Sequence, residues 1–307
     1  VQSAAATSPS QAGGSLGASL VVLACGVFWG FYWLPVRALD DLGLTGPLGT
    51  AAIAAAAAIL LVPSALAGRR RLWQCPPVVL LSVALGGAAF ALYSVGLVYG
   101  RVAIIVLLYF LTPVWSTLIA RFVLGWETTR MRLLAMAVGL TGLAVMLGAG
   151  GQAPLPQGAG EWMSLIAGLL WSVSTTGIRV RSALAPTETS FVFALGAALT
   201  ALALWPFLPA APLSSDPAEA WRIVAIALGT AALWWVLSIL GLMWAVARLE
   251  PARVGILLMA EVLVGSVTAA VLAGEHLSPA EIAGGVLVLL AGLIEIASDR
   301  RGRVVKA

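Results

Sequence analysis

Charge is what this chain has least of. Only 10% of its 307 residues are charged and 61% are hydrophobic, with a mean hydropathy of +1.03, whereas a soluble domain is about 25% charged. A soluble core does not use that much apolar sequence. A polytopic membrane protein does, because each crossing of a hydrocarbon layer roughly 30 Å thick takes about 20 apolar residues. Histidine occurs once, at His276, and cysteine twice, at Cys25 and Cys75. That supply excludes the usual metal-ligand spacings, a disulfide framework and a Ser/His pair within the apolar spans. No G-x-x-x-x-G-K-[ST] loop occurs, so the chain does not itself hydrolyse ATP. The reading is therefore not an enzyme, with no catalytic residues, no cofactor and no metal.

The net charge of +4 comes without a basic patch interleaved with aromatics, so nucleic acid is not the expected partner. The partners read from the sequence are a lipid bilayer and a small-molecule substrate. A homodimer stays open, since no strong Gly-x-x-x-Gly pair marks a lipid-facing helix. The opening stretch VQSAAATSPSQAGGS has no basic n-region and reads as a flexible tail rather than a cleaved signal.

Gly, Pro and charged punctuation divides the rest into ten apolar spans, near 17–38, 46–67, 77–98, 102–124, 131–149, 160–181, 187–208, 221–246, 252–273 and 279–298. With the N-terminus inside, 14 of the 17 basic residues fall in cytoplasmic loops and tails, and only Arg37, Arg101 and Arg222 fall outside. This bias, clearest in Arg69, Arg70 and Arg71, predicts cytoplasmic termini in a bacterial inner membrane.

The spans repeat. Gly26, Trp29 and Arg37 return as Gly168, Trp171 and Arg179, 142 residues later. Leu85 and Gly86 return as Leu228 and Gly229 after 143, Gly96 and Tyr99 as Gly241 and Trp244 after 145, and Pro113 and Glu127 as Glu261 and Glu275 after 148. A slow drift marks two homologous halves with small insertions. The expected organisation is a tail at 1–16, a first repeat at 17–147, a linker at 148–160, a second repeat at 161–298 and a basic tail at 299–307. Five spans per half is an odd number, so the second half runs upside down relative to the first. The fold class is all-α, ten transmembrane helices in two inverted five-helix repeats, an architecture that places a substrate site near the midplane.

The motifs that carry a family resemblance are FWGFYWLP at 28–35 and LLWSVSTTGIR at 169–179, each with a tryptophan near the middle of its half's first span. With them go LTPVWSTLIARFVLGWE at 111–127, proline-centred, and AEVLVGSVTAAVLAGE at 260–275. On these the chain resembles the drug/metabolite transporter superfamily of the ten-helix EamA type, from about residue 17 to 298. Within it the chain is most similar to aromatic amino acid exporters of the YddG type. It departs from the family at Val262, where a proline often follows the acidic position. The resemblance implies a secondary transporter whose central cavity is bordered by the helices bearing Trp29, Tyr93, Tyr109, Trp171 and Trp234.

Glu261 stands inside GILLMAEVLVGSV, about 12 Å along the helix from Arg253 at 1.5 Å per residue. A charge at that depth costs roughly 2.5–3.5 kcal/mol even on the lenient insertion scale, and no lysine or mid-span arginine is there to offset it. It is protonated, or it meets an arriving group such as a substrate ammonium; the alternative is an interhelical hydrogen bond that only fixes packing. Trp171 shares a helical face with Ser174 and Thr175, Trp234 with Ser238 and Gly241, and Tyr109 with Thr112, Pro113 and Ser116. Each stripe sets a flat ring beside small groups, which suits an aromatic or ammonium-bearing substrate. The candidate substrate-binding residues are thus Glu261, Trp171, Thr175, Ser174, Trp234, Ser238, Tyr93, Tyr109 and Trp29. Pro113 is the candidate hinge, because it removes the hydrogen bond to the Tyr109 carbonyl. The expected function is export of aromatic or hydrophobic amino acids by alternating access, with broad efflux of cationic drugs or nucleobases as the alternative.

Overall fold

The structure is a computed structural model; it describes residues 9–123, 125, 129–151, 155–178, 184–208, 217–246, 248–249, 254 and 257–304. In the described residues ten helical passes follow one another, with no strand. They are α1 (Pro9–Trp29, resuming as Trp33–Asp41), α2 (Pro47–Ala67), α3 (Pro77–Tyr99), α4 (Val102–Tyr109, resuming as Thr112–Leu118) and α5 (Arg130–Leu147) in the first half. The second half has α6 (Ala159–Ile178), α7 (Pro186–Leu204), α8 (Pro217–Thr230, continuing through a π-helical stretch Ala231–Leu237 into Ser238–Val246), α9 (Ala260–Leu272) and α10 (Pro279–Val304). Six of these helices open on proline, whose missing N–H is one the first turn could not use. Helix α9 ends on Gly274, whose φ of +65° closes the last turn in the left-handed region.

Among the described residues six helical stretches are long and apolar enough to cross a membrane, and Leu133–Leu147, Ala260–Leu272 and Pro279–Ile294 are shorter apolar helices. The molecule is a multi-pass, all-helical membrane protein. Helix α1 starts at Pro9, inside the stretch expected to be a tail, and α10 runs to Val304, through most of the expected basic tail. Once a first turn forms, each further residue adds a hydrogen bond, so helices overrun boundaries drawn at polarity changes. Residues 1–8, 152–154 and 305–307 of the expected tails and linker lie outside the described residues, as do Arg179, Arg253 and Glu127.

Helices meet through small residues, because lipid-embedded helices gain stability from close van der Waals approach rather than from hydrophobic burial. A Cβ on Gly142 of α5 would fall 2.7 Å from the Gly284 carbonyl of α10, and one on Gly160 of α6 would fall 2.8 Å from both the Gly100 nitrogen and the Gly96 carbonyl. Ala51, Ala54, Ala56, Ala57 and Ala58 are buried in α2.

Polar pairs pin the helix ends. Glu275 accepts from the Val102 and Ala103 backbone nitrogens (2.8 and 3.2 Å) and from Arg37 (3.1 Å), which also donates to the Leu97 and Gly100 carbonyls. One carboxylate thus caps α4, where the helix dipole favours negative charge, and ties it to α1. Arg101 pairs with Glu281 of α10, and that hydrogen-bonded partner raises the guanidinium's pKa.

Candidate functional site

Two helices are interrupted in mid-chain at equivalent places. Helix α4 breaks at Phe110–Leu111, and 148 residues on, residues 257–258 are helical, Met259 turns and α9 begins at Ala260. Pro113 is the second residue of the segment that resumes in the first case and Glu261 is second in the second. Proline there lacks a donor the turn leaves orphaned; a carboxylate there lies beside such orphaned N–H groups at the positive end of the helix dipole.

Each interruption is packed by a glycine of the other half. A Cβ on Gly168 would lie 3.0 Å from the Tyr109 carbonyl, and one on Gly26 would lie 3.1 Å from the Leu257 carbonyl. Both glycines and both carbonyls are repeat-equivalent, so the same crossing is made twice. Around the α4 break, Ser164 of α6 donates to the Ile105 carbonyl (2.6 Å) and Ser172 to the Thr112 carbonyl (3.1 Å). Those hydroxyls tie α6 to α4 on either side of the break.

Glu261 is half-buried, and its carboxyl is hydrogen-bonded by the Tyr93 hydroxyl of α3. None of the three ion pairs among the described residues includes it. Tyr93 is itself buried, and its ring lies 4.6 Å from Tyr109 at 31°. Tyr109 lies 6.3 Å from Trp171, and Trp171 stands edge-on to Phe193 at 6.0 Å. Glu261, Tyr93, Tyr109 and Trp171 are therefore brought together as a carboxyl followed by a line of rings.

The other candidates form a second group. Trp29 donates its indole N–H to the Ser238 hydroxyl (2.9 Å), and Trp234 donates to the Phe28 carbonyl (3.0 Å) while stacking on the Phe28 ring at 3.8 Å. Phe90 of α3 joins the two groups, with ring centroids at 5.5 Å from Trp29, 5.8 Å from Tyr93 and 6.0 Å from Phe193. The π-helical stretch of α8 carries Trp234 and Trp235 on adjacent positions, and Trp235 packs on Phe90 at 5.0 Å. Widened turns of this kind recur at functional sites.

Two hydroxyls expected beside Trp171 are occupied elsewhere. Ser174 donates to the Ser82 carbonyl of α3 (2.7 Å), and Thr175 donates to the Trp171 carbonyl of its own helix (2.9 Å). Thr268, on the face of Glu261, accepts from the Trp33 indole (3.0 Å). Trp244 is 46% exposed with Arg248 over its ring at 4.4 Å, a surface setting. Trp73, Trp162, Trp205 and Trp221 are exposed near helix ends.

Sequence reasoning did not single out Phe90, Phe193 or Tyr32. Phe90 lies three residues before Tyr93 and Phe193 three residues after Ser190, helical spacings that could have flagged both.

A model of the EamA-like transporter family matches the chain twice, over residues 16–148 and 158–295. No curated protein matches it. One solved crystal structure, at 20% sequence identity, is similar with a TM-score of 0.57 over 92% of this chain and 98% of its own; at that identity the likeness concerns the fold alone.

Proposed function

The chain belongs to the EamA-like transporter family of the drug/metabolite transporter superfamily, and on that footing we propose that it exports aromatic and other hydrophobic amino acids across a bacterial inner membrane. Both termini lie in the cytoplasm in this reading, the two halves rock about the centre, and Pro113 marks the hinge of α4. The observation that carries it is Glu261: an intramembrane carboxyl in the first turn of an interrupted helix, held by Tyr93, without a cationic partner among the described ion pairs. Intramembrane acids and discontinuous helices both mark substrate paths. The substrate's ammonium meets Glu261, and its side chain lies along Tyr109 and Trp171, where ring faces favour both a flat ring and a nearby cation.

The test is efflux from proteoliposomes loaded with labelled Phe, Trp, Thr and a nucleobase, with and without a pH gradient. Saturable Phe and Trp flux that Glu261→Gln abolishes supports the reading. Nucleobase flux without amino acid flux overturns it in favour of a broader efflux carrier.

A further inference from the structure

We propose that the ion pair between Arg71 and Glu188 is the latch that holds the central path shut on the face carrying Arg69, Arg70 and Arg71; the inference rests on the alternating-access reading above. Arg71 lies on the short helix Arg69–Gln74 between α2 and α3, and Glu188 lies in the first turn of α7. One carboxylate oxygen of Glu188 accepts from Arg71 Nε (2.9 Å) and Nη2 (2.6 Å), and the other accepts from the Ala185 nitrogen (3.0 Å). The Glu188 side chain is 1% exposed although Arg71 is 60% exposed. Gly68, at the end of α2, packs on that carboxyl and leaves no room for a Cβ.

Between the latch and the ring cluster the helices approach closely at two glycines. A Cβ on Gly86 of α3 would sit 2.7 Å from the Ser174 hydroxyl and 3.2 Å from the Phe193 ring, and one on Gly196 of α7 would sit 2.7 Å from the Ala84 Cα. The repeat-equivalent place between α8 and α1 is slack on the far side of the Trp234–Phe28 and Trp29–Ser238 contacts: Gly229, the repeat-equivalent of Gly86, has nothing within 4 Å of a Cβ position. Because the halves are inverted, the two seams lead to opposite faces, so the closed one lies on the basic face.

The latch has no duplicate. Gly46 stands 142 residues before Glu188, so the other half lacks the acid. Opening the basic face draws the start of α7 from the α2–α3 turn and separates the charges. A buried carboxylate deprived of its cation is disfavoured until it reaches water, so the pair biases the protein toward the state closed on this face, and the halves are not energetically equivalent.

The experiment uses the full chain in oriented liposomes, with Cys25 and Cys75 replaced by alanine and a reporter cysteine at Ser174 or Gly229. An impermeant maleimide is applied from the basic face for Ser174→Cys and from the opposite face for Gly229→Cys. With Glu188→Gln or Arg71→Gln, Ser174→Cys labelling is expected to rise roughly tenfold, as a minor open state becomes populated, and Gly229→Cys labelling to fall. Arg71→Lys, which keeps the charge, is expected to stay near the parent. Arg71 is largely solvent-exposed, so Arg71→Gln tests the latch even if Glu188→Gln folds poorly. Unchanged Ser174→Cys labelling in folded Arg71→Gln overturns the latch. Labelling needs no substrate: release of the seam without flux of any tested compound sustains the latch and overturns the amino acid reading, whereas Phe flux with an unmoved seam does the reverse.

Discussion

Pro113 and Glu261 occupy the same place in the two halves of the molecule, each second in the helical segment that resumes after an interruption. One half uses that place to remove a hydrogen-bond donor; the other puts a carboxyl there. The two interruptions are alike in backbone and unlike in chemistry, and of the two places only the second-half one carries an ionisable side chain.

Replacement of Glu261 by Gln keeps the shape and a hydrogen bond to Tyr93 but removes the charge. A charge-assisted hydrogen bond contributes about 1.5–3 kcal/mol, so affinity for ammonium-bearing substrates is expected to fall about 10- to 100-fold. Competition by amino acids and by their desamino analogues checks it: the mutant no longer distinguishes the two, whereas the parent prefers the amino acid.

Tyr93→Phe removes the hydroxyl that holds Glu261 and leaves the ring against Tyr109. Tyr93 is buried. The expected result is a raised KM for Phe and Trp with folding retained, measured by initial efflux rates and thermal unfolding in detergent.

Phe193 lies behind Trp171 and against Gly86. Phe193→Ala opens space beneath the ring line and is expected to shift preference from Phe toward Trp by about 10-fold, the scale of small volume changes in apolar pockets. Relative efflux of the two substrates from mixed-load liposomes reads it directly.

Glycine substitutions separate tight from slack seams. Gly160→Ala puts a methyl 2.8 Å from three backbone atoms of α3 and the turn after it, and overpacking of this kind costs about 1–3 kcal/mol. Gly229→Ala meets nothing within 4 Å and is expected to be neutral or to stabilise by up to about 1 kcal/mol, since alanine is the better helix former. Thermal unfolding in one detergent compares them.

Glu275→Ala removes three hydrogen bonds that join α1, α4 and α9. Loss of a helix cap together with a shielded ion pair is expected to cost about 2–4 kcal/mol. The same thermal assay should show the drop, and Glu275→Gln, which still caps Val102, should lose less.

Much of the fold was legible because its determinants are local in the chain. Apolar length marks the helices, proline marks their starts, and the spacing from Gly26 to Gly168 identified the pair of glycines that the fold packs on equivalent carbonyls. The α4 break was foreshadowed by Pro113. The α9 break was not, because no proline stands at Val262, and what lies against the turn at Met259 is Gly26 of α1, distant in the chain.

Sequence alone determined the all-helical membrane fold, the duplicated and inverted halves, and the presence of one acid in the middle of a span. Tertiary structure alone decided that Tyr93 meets that acid, that the Ser174 and Thr175 hydroxyls are taken by backbone carbonyls, that Phe90 and Phe193 complete the cluster, and where helices pack tightly or leave space. The reason is physical. A helix bathed in lipid is apolar on nearly every side, so a few hydroxyls and small residues are all that mark its inner face. Which side chains face the centre follows from how small residues let the backbones approach, and that is a property of pairs of helices brought together from distant parts of the chain.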